Sequence, residues 1–505
     1  MELITERYED KVLGTIGCFD RVVLTGTLPG ICYADGITGY LYRNGVRIFD
    51  YAKFAEPYRH LIRENAENLA RSNGIEIDHL NKQATKKEKI VQTGLERLQK
   101  EGKKVEGLFY IISAMERCPT YKPWFDKKTG RAYLKSSWSQ CLHYYFYFID
   151  KYLGLCYVRV PTWLPFRLQV YFNGHNWLAN MLSKEGIDYQ MGDNAFLNIS
   201  DFEKAQKISD RFSVAALHTL LDNFAKIFCP VSELFETNYH WSVMQAEYAT
   251  DIIFRRQKDL GKIYENLIRT AIHTVKPDNI STFLGRKLHG NFQGEVGNKY
   301  SVRLEGSVLK HQMGKVEIKM YDKFQQVLRI ETTANDISFF QHYRNVEHKD
   351  GTVSKKFTSM KKNIYSLKPL IQIMKATNRR YIEFISAIED RSAGTKRLKK
   401  VTGRKEEGNR GYKGFNFFDD TDMEIMQVIS QGKFNISGFR NKDLRKYLSD
   451  RSTGQISRVI KRMKIHGLIK KAKNSYKYYL TMLGKQVVIT AMKIKELVII
   501  PALNY

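Results

Sequence analysis

The chain has 505 residues, 43% of them hydrophobic, which suffices for about two to four domains with cores of their own and excludes a disordered polypeptide. Lys and Arg number 82 against 53 Asp and Glu, and the formal net charge of +29 points to a polyanionic partner, nucleic acid ahead of an anionic membrane surface. No stretch offers the roughly 18 consecutive apolar residues of a membrane span, and MELITERYEDK lacks the basic start and apolar run of a secretory signal. A cytoplasmic protein with no membrane partner is expected.

In chain order, VLGTIGCFDRVVLTGTL (12–28) reads as one or two strands, and the segment from Phe49 to Asn73 has helical spacing that Gly74 ends. GLFYIISAME, from Gly107, reads as a buried strand. Residues 141–177 place strand-like runs around the turn signals DKYLG and PTWLP, the pattern of an antiparallel meander. Five contiguous rings, Tyr144 to Phe148, cannot all face solvent, so most belong to a core. Residues 201–228 turn helical, and a long helix is predicted from Trp241 to Val275, with apolar residues at Met244, Tyr248, Ile252 and Ile253. A second β-rich region covers 282–340, and a helix covers 367–389. Residues 391–414 are dense in Lys, Arg and Gly and poor in apolar side chains, which predicts a solvated, flexible linker.

The six cysteines (18, 32, 118, 141, 156 and 229) show no Cys-x-x-Cys spacing, so reduced thiols and no zinc site are expected. The Gly-rich GRKLHGNFQGE (285–295) matches neither a Walker A loop nor a dinucleotide fingerprint, so no nucleotide cofactor is expected.

The C-terminal part carries the most specific signal. A helix (DDTDMEIMQVIS), a second (RNKDLRKYL) and a third (STGQISRVIKRMKIHG) lead into LIKKAKNSYKYYLTMLGKQVV. SRVIKRMKIHGLI followed by YYLTMLGKQVV resembles the recognition helix, wing and closing helix of MarR-type winged helix-turn-helix regulators, over about 80 residues, although NSYKYY carries no Asp-x-Arg pair. The resemblance implies nucleic-acid binding. Charge points the same way, since fourteen Lys or Arg between 435 and 485 face only Asp443 and Asp450. Ser452 is placed as a helix N-cap. Thr453, Gln455 and Arg458 would read base edges, with Lys461 and Arg462 beside them, and Lys470, Lys471, Lys473 and Lys477 of the wing would meet phosphates.

The central region carries candidate chemistry. YSVRLEG, KVEIKMY and VLRIETT alternate with period two, so Arg303 and Glu305, then Glu317, Lys319 and Tyr321, then Arg329 and Glu331 share one polar face, with Asp322 at a strand end. Carboxylates gathered on adjacent strands are the hard-oxygen donors that Mg²⁺ takes in phosphoryl chemistry, with a lysine to stabilise developing charge. The catalytic set read this way is Glu305, Glu317, Lys319, Asp322 and Glu331, the four carboxylates being metal ligands. The competing reading is cross-strand ion pairing, worth roughly 0.2 to 1 kcal/mol per pair and implying no reaction. Asp20, on the first strand, stands where the first carboxylate of an RNase H-like metal site would, although a lone strand Asp is more often part of a turn or a salt bridge.

The predicted architecture is multidomain α+β: residues 1–235 with aromatic-rich strands, 236–390 with helices and a sheet bearing the polar face, the linker, and 415–505 as a winged helix. The predicted function is that of a DNA-binding protein of a bacterium or mobile element that performs Mg²⁺-dependent cleavage or strand transfer. The alternative is a non-enzymatic regulator or an RNA-binding subunit, with structured RNA as ligand.

Overall fold

The computed structural model describes the chain apart from residues 1–2, 81–86, 101–105, 236, 287–291, 304–305, 390, 473–474, 496–498, 501–502 and 504–505. It is a mixed α and β protein of two compact units, Met1–Glu389 and Asp390–Tyr505. No division occurs near residue 235. Instead, one eleven-stranded sheet runs through the whole first unit.

Its strands are β1 (Val12–Thr27), β2 (Ile77–Leu80), β3 (Gly107–Asp126), β4 (Arg131–Asp150), β5 (Gly154–Pro161) and β6 (Leu168–Asn173). A separate hairpin follows, β7 (Tyr189–Gly192) and β8 (Ala195–Ile199), and then the sheet continues with β9 (His240–Phe254), β10 (Val296–Arg303), β11 (Gly306–Met313), β12 (Val316–Lys323) and β13 (Val327–Ala334). The order is β10-β11-β12-β13-β9-β1-β6-β5-β4-β3-β2, antiparallel throughout except for the β2–β3 pair. The meander expected in 141–177 is β4-β5-β6. The five rings Tyr144 to Phe148 are all buried, Tyr144, Phe146 and Phe148 in the main core, Tyr145 and Tyr147 in a smaller one on the other face.

The segment expected to form one long helix divides in two: the central strand β9, then a helix at Gln257–Thr274. Met244, Tyr248 and Ile252 are spaced by four, which satisfies the strand period of two as well as a helical turn. Burial decides between them. β9 lies between β1 and β13, its residues from Ala246 to Phe254 almost wholly buried on both faces, where β-branched and aromatic side chains pack best in a strand.

The second unit has its own core, including Val401, Phe415, Met423, Ile456, Met463, Leu468 and Val488. Residues expected to be a flexible linker form a helix, Arg391–Thr402, and a small hairpin, Lys405–Glu407 with Arg410–Tyr412. Buried Val401 anchors that helix, and the Lys400 carbonyl meets Nδ1 of His466 at 3.0 Å, so the basic residues are the exposed face of an ordered element. Helices at Asp420–Ser430, Gly432–Ser437, Asn441–Arg445 and Thr453–Ile465 follow, then a hairpin of Ile469–Lys471 with Tyr478–Leu480 and a helix at Met482–Ile494. Ser452 caps the fourth of these helices, accepting from Gln455 N while the Gln455 side chain accepts from Ser452 N, which satisfies two free backbone donors at once.

Candidate functional site

Four residues from four distant segments meet beneath the first sheet. A bulge in β1 between Phe19 and Val22 breaks the register with β9 at Asp20. His175 is the second residue of the helix Gly174–Lys184, which Asn173 caps. That helix starts hard against β1, since a Cβ on Gly174 would lie 2.2 Å from the Phe19 carbonyl oxygen, so a side chain there would push His175 away from Asp20. Asp251 of β9 pairs in register with Arg329 of β13.

Arg329 is wholly buried and donates to both Asp251 oxygens, from Nε at 2.6 Å and Nη2 at 2.7 Å, and to the Asn194 carbonyl at 2.7 Å. Its Nη1 stands 3.5 Å from Asp20 Oδ2. His175 bridges the two acids, with Nδ1 3.1 Å from Asp20 and Nε2 3.3 Å from Asp251. Burial works against ionising these carboxyls, but the Arg329 guanidinium and His175 outweigh it. Asp251 is held down at about 2 and Asp20 lower still. Burial and the Arg329 guanidinium, whose Nη2 stands 2.9 Å from Nε2, oppose charge on His175, yet the Cys18 sulfur and the bonds to Asp20 and Asp251 raise its proton affinity well above the ordinary value.

Asp20 also belongs to a second layer. Carboxylate oxygens of Asp20, Glu247 and Glu331 lie within 4.8 Å of one another, and among the described residues no other group of three His, Cys, Asp or Glu does so. Lys319 Nζ donates to Glu331 Oε1 at 2.7 Å and to Glu247 Oε1 at 3.3 Å, and Tyr321 Oη donates to Glu331 Oε2 at 2.6 Å. Burial and the nearby Glu331 raise Glu247, while burial of Lys319 is outweighed by the two glutamates, which keep it charged. Asn194, in the β7–β8 turn, donates to Asp20 at 2.9 Å, and its own Oδ1 is buried with no hydrogen-bond partner. These groups line a cavity of about 1070 Å³.

The predicted catalytic set is only partly brought together. Glu331 and Lys319 sit at the centre. Glu317 stands apart and faces Lys310 at 3.5 Å. Asp322 borders the cavity, but its register opposite Leu328 puts it on the sheet face away from Glu331, where burial raises its carboxyl. Glu305 lies outside the described residues, as do Lys287 and His289 of the Gly-rich loop. Glu247 and Asp251 escaped sequence reasoning because they were assigned to a helix. Asp20 carried a signal, its place on the first strand, and His175 none beyond its residue type.

In the second unit, Thr453, Gln455, Arg458, Lys470 and Lys471 are exposed, and Lys477 is half-buried. Lys473 lies outside the described residues. Lys461 is paired with Glu407. Arg462, expected beside the base-reading face, points inward instead. It makes two bonds to buried Asp422, at 2.7 and 2.8 Å, donates to the carbonyls of Lys413 and Gly414, and stacks over Phe415. Its surroundings make it structural: Arg462→Met strands the Asp422 charge and is expected to destabilise this unit by about 3–5 kcal/mol, read by urea denaturation, while Arg458→Ala changes stability by less than about 0.5 kcal/mol.

No family model, curated protein or solved structure matches this chain. Its chemistry therefore rests on its own geometry. Among the described residues no helix is long and apolar enough to cross a membrane, and all six cysteines are free.

Proposed function

We propose that this protein binds nucleic acid, DNA in the first place, and cleaves or transfers strands by metal-assisted phosphodiester chemistry at Asp20, Glu247 and Glu331. The observation that carries this reading is the convergence of those three carboxylates, from β1, β9 and β13, on one open cavity. Their oxygens, all within 4.8 Å of one another, are the donors Mg²⁺ prefers. The unpartnered Asn194 Oδ1 adds a neutral oxygen beside Asp20. A bound Mg²⁺ would polarise a phosphate and activate its attacker. In this reading Lys319 neutralises charge, and Tyr321, its phenol kept protonated by burial, orients Glu331. The buried Arg329 network fixes Asp20.

The helices and hairpin of the second unit, with Thr453, Gln455, Arg458, Lys470 and Lys471 exposed, support a winged helix that meets DNA. Glu247 must lose a proton to bind metal, and its proton affinity is raised, so metal binding is expected to weaken as pH falls. Calorimetric Mn²⁺ titration over a pH series from 7.5 down to the acid limit of the fold checks this; an affinity that does not fall along the series would remove Glu247 from the ligand set. Cleavage of labelled DNA by the full-length protein with Mg²⁺ or Mn²⁺ tests the activity.

One observation favours a second, non-enzymatic reading. The Lys319 ammonium already stands between Glu247 and Glu331, where a cation would sit. A regulator of this kind would protect a DNA site equally with and without metal, and a ribonucleoprotein subunit would copurify with a discrete RNA.

A further inference from the structure

The β3–β4 ribbon outruns the sheet. β5 pairs with β4 only as far as His143, and β2 pairs with β3 only over Ile111–Ala114, so from Met115 to Leu142 the ribbon has no third strand. Tyr121 and Leu134 are its last buried side chains, and beyond them every residue is exposed or half-buried. The register sets Lys122 opposite Lys135, Trp124 opposite Tyr133, and Asp126 opposite Arg131, and strand alternation puts all six on one face.

Nothing in the fold accounts for that pattern. Two lysines directly opposite each other destabilise a ribbon. Six exposed cations, Arg117, Lys122, Lys127, Lys128, Arg131 and Lys135, occur between 117 and 138 with Asp126 as the sole acid, and among the described residues none of the six is in an ion pair. Asp126 is taken up by the turn, accepting from Lys128 N and Thr129 Oγ1. Trp124 is 44% exposed with the Lys135 ammonium 5.0 Å from its ring centre. A large ring left in water among unpaired cations matches a polyanion that also carries flat apolar faces.

We propose that this face of the ribbon holds an unpaired DNA strand, a base stacking on Trp124 beside Tyr133 while Lys122, Lys135 and Arg131 take the phosphates. A duplex hides its base faces within its own stack and gains nothing from the ring. An acidic peptide would engage the lysines but not the tryptophan. The choice of DNA rests on the function proposed above, whereas the stacking surface stands without the carboxylate cluster.

The test is fluorescence anisotropy of labelled oligo(dT) with full-length protein in EDTA, so that cleavage is not read. Trp124→Ala is expected to weaken binding about 5- to 150-fold, the fold-change that corresponds to stacking one base. Lys122→Ala with Lys135→Ala is expected to flatten the salt dependence by about 1.4 in log–log slope, for two phosphates released. Trp138, 60% exposed on the opposite face under Arg117, is the control, and Trp138→Ala leaves affinity unchanged. Melting temperatures report on folding. Unchanged oligo(dT) affinity in Trp124→Ala overturns the proposal, as does an equal loss on a duplex, tighter binding of oligo(rU), or full competition by polyglutamate. Binding is read in EDTA and cleavage with added metal, so a failure at the ribbon and one at the carboxylate cluster are told apart.

Discussion

Glu331→Gln is expected to lower metal-dependent cleavage by about 10² to 10³-fold, the order found when one preorganised charge-stabilising group is removed, with little loss of stability. The amide keeps the size of the side chain, and with its oxygen in the Oε1 place Lys319 and Thr333 retain an acceptor, its NH2 can donate to Tyr321 Oη, and Lys319 keeps its bond to Glu247. What disappears is the negative oxygen that a cation would hold. Glu317→Gln is the informative companion. Glu317 is on the same strand and two residues from Lys319, yet it faces Lys310 rather than the cavity, so its loss is expected to leave activity within about twofold of wild type. A gel assay with Mg²⁺ and with Mn²⁺ separates the cases. Equal activity of Glu331→Gln and wild type removes the active site from this cavity, and equal loss in both variants assigns the effect to sheet charge in general.

Arg329→Met is expected to have the largest effect on stability, about 3–5 kcal/mol, because it leaves two buried carboxylates with only His175 to offset their charge. Asp20 is 5% exposed and Asp251 is wholly buried, and Arg329 makes bonds of 2.6 and 2.7 Å to the latter. Arg329→Lys is not conservative here, since one ammonium cannot match the fork that binds both oxygens. The pH dependence gives a sharper signature. In the wild type Asp251 is held down at about 2, so its contribution is fully present above the unfolded value near 3.9 and is lost as pH falls through about 2. Without Arg329, burial is opposed by His175 alone, so the same carboxyl titrates higher than in the wild type and acid protonates it first in the folded variant. Urea denaturation at pH 4 and pH 7 should therefore show the gap from wild type narrowing at pH 4. A gap that widens there would mean that Arg329 is not what holds the two acids ionised.

Several parts of the molecule were legible in its residues because the signals are local. The period-two runs of β12 and β13, the helices after Asp420 and the Ser452 cap each follow from neighbours a few positions apart. The polar face over Lys319 and Glu331 was legible for the same reason, and those two side chains do pair directly across the sheet. Local signals also misled. Spacing by four could not separate strand from helix at Met244, Tyr248 and Ile252, and the choice of helix hid Glu247 and Asp251. Arg462 looked like a groove-facing cation until the fold set Asp422, forty residues earlier in the chain, beside it.

What only the tertiary structure decided is which carboxylates meet. Asp20, His175, Asp251 and Arg329 span more than 300 residues, and they converge because β1 is threaded between β6 and β9 while β13 closes on the other side of β9. Strand order arises from long-range pairing, and no periodicity along the chain encodes it. Composition and local pattern by themselves established a strongly cationic chain with strands that carry charge on one face. The pairing of distant strands then turned isolated acids into a cluster, with a buried arginine and histidine that keep two of them ionised.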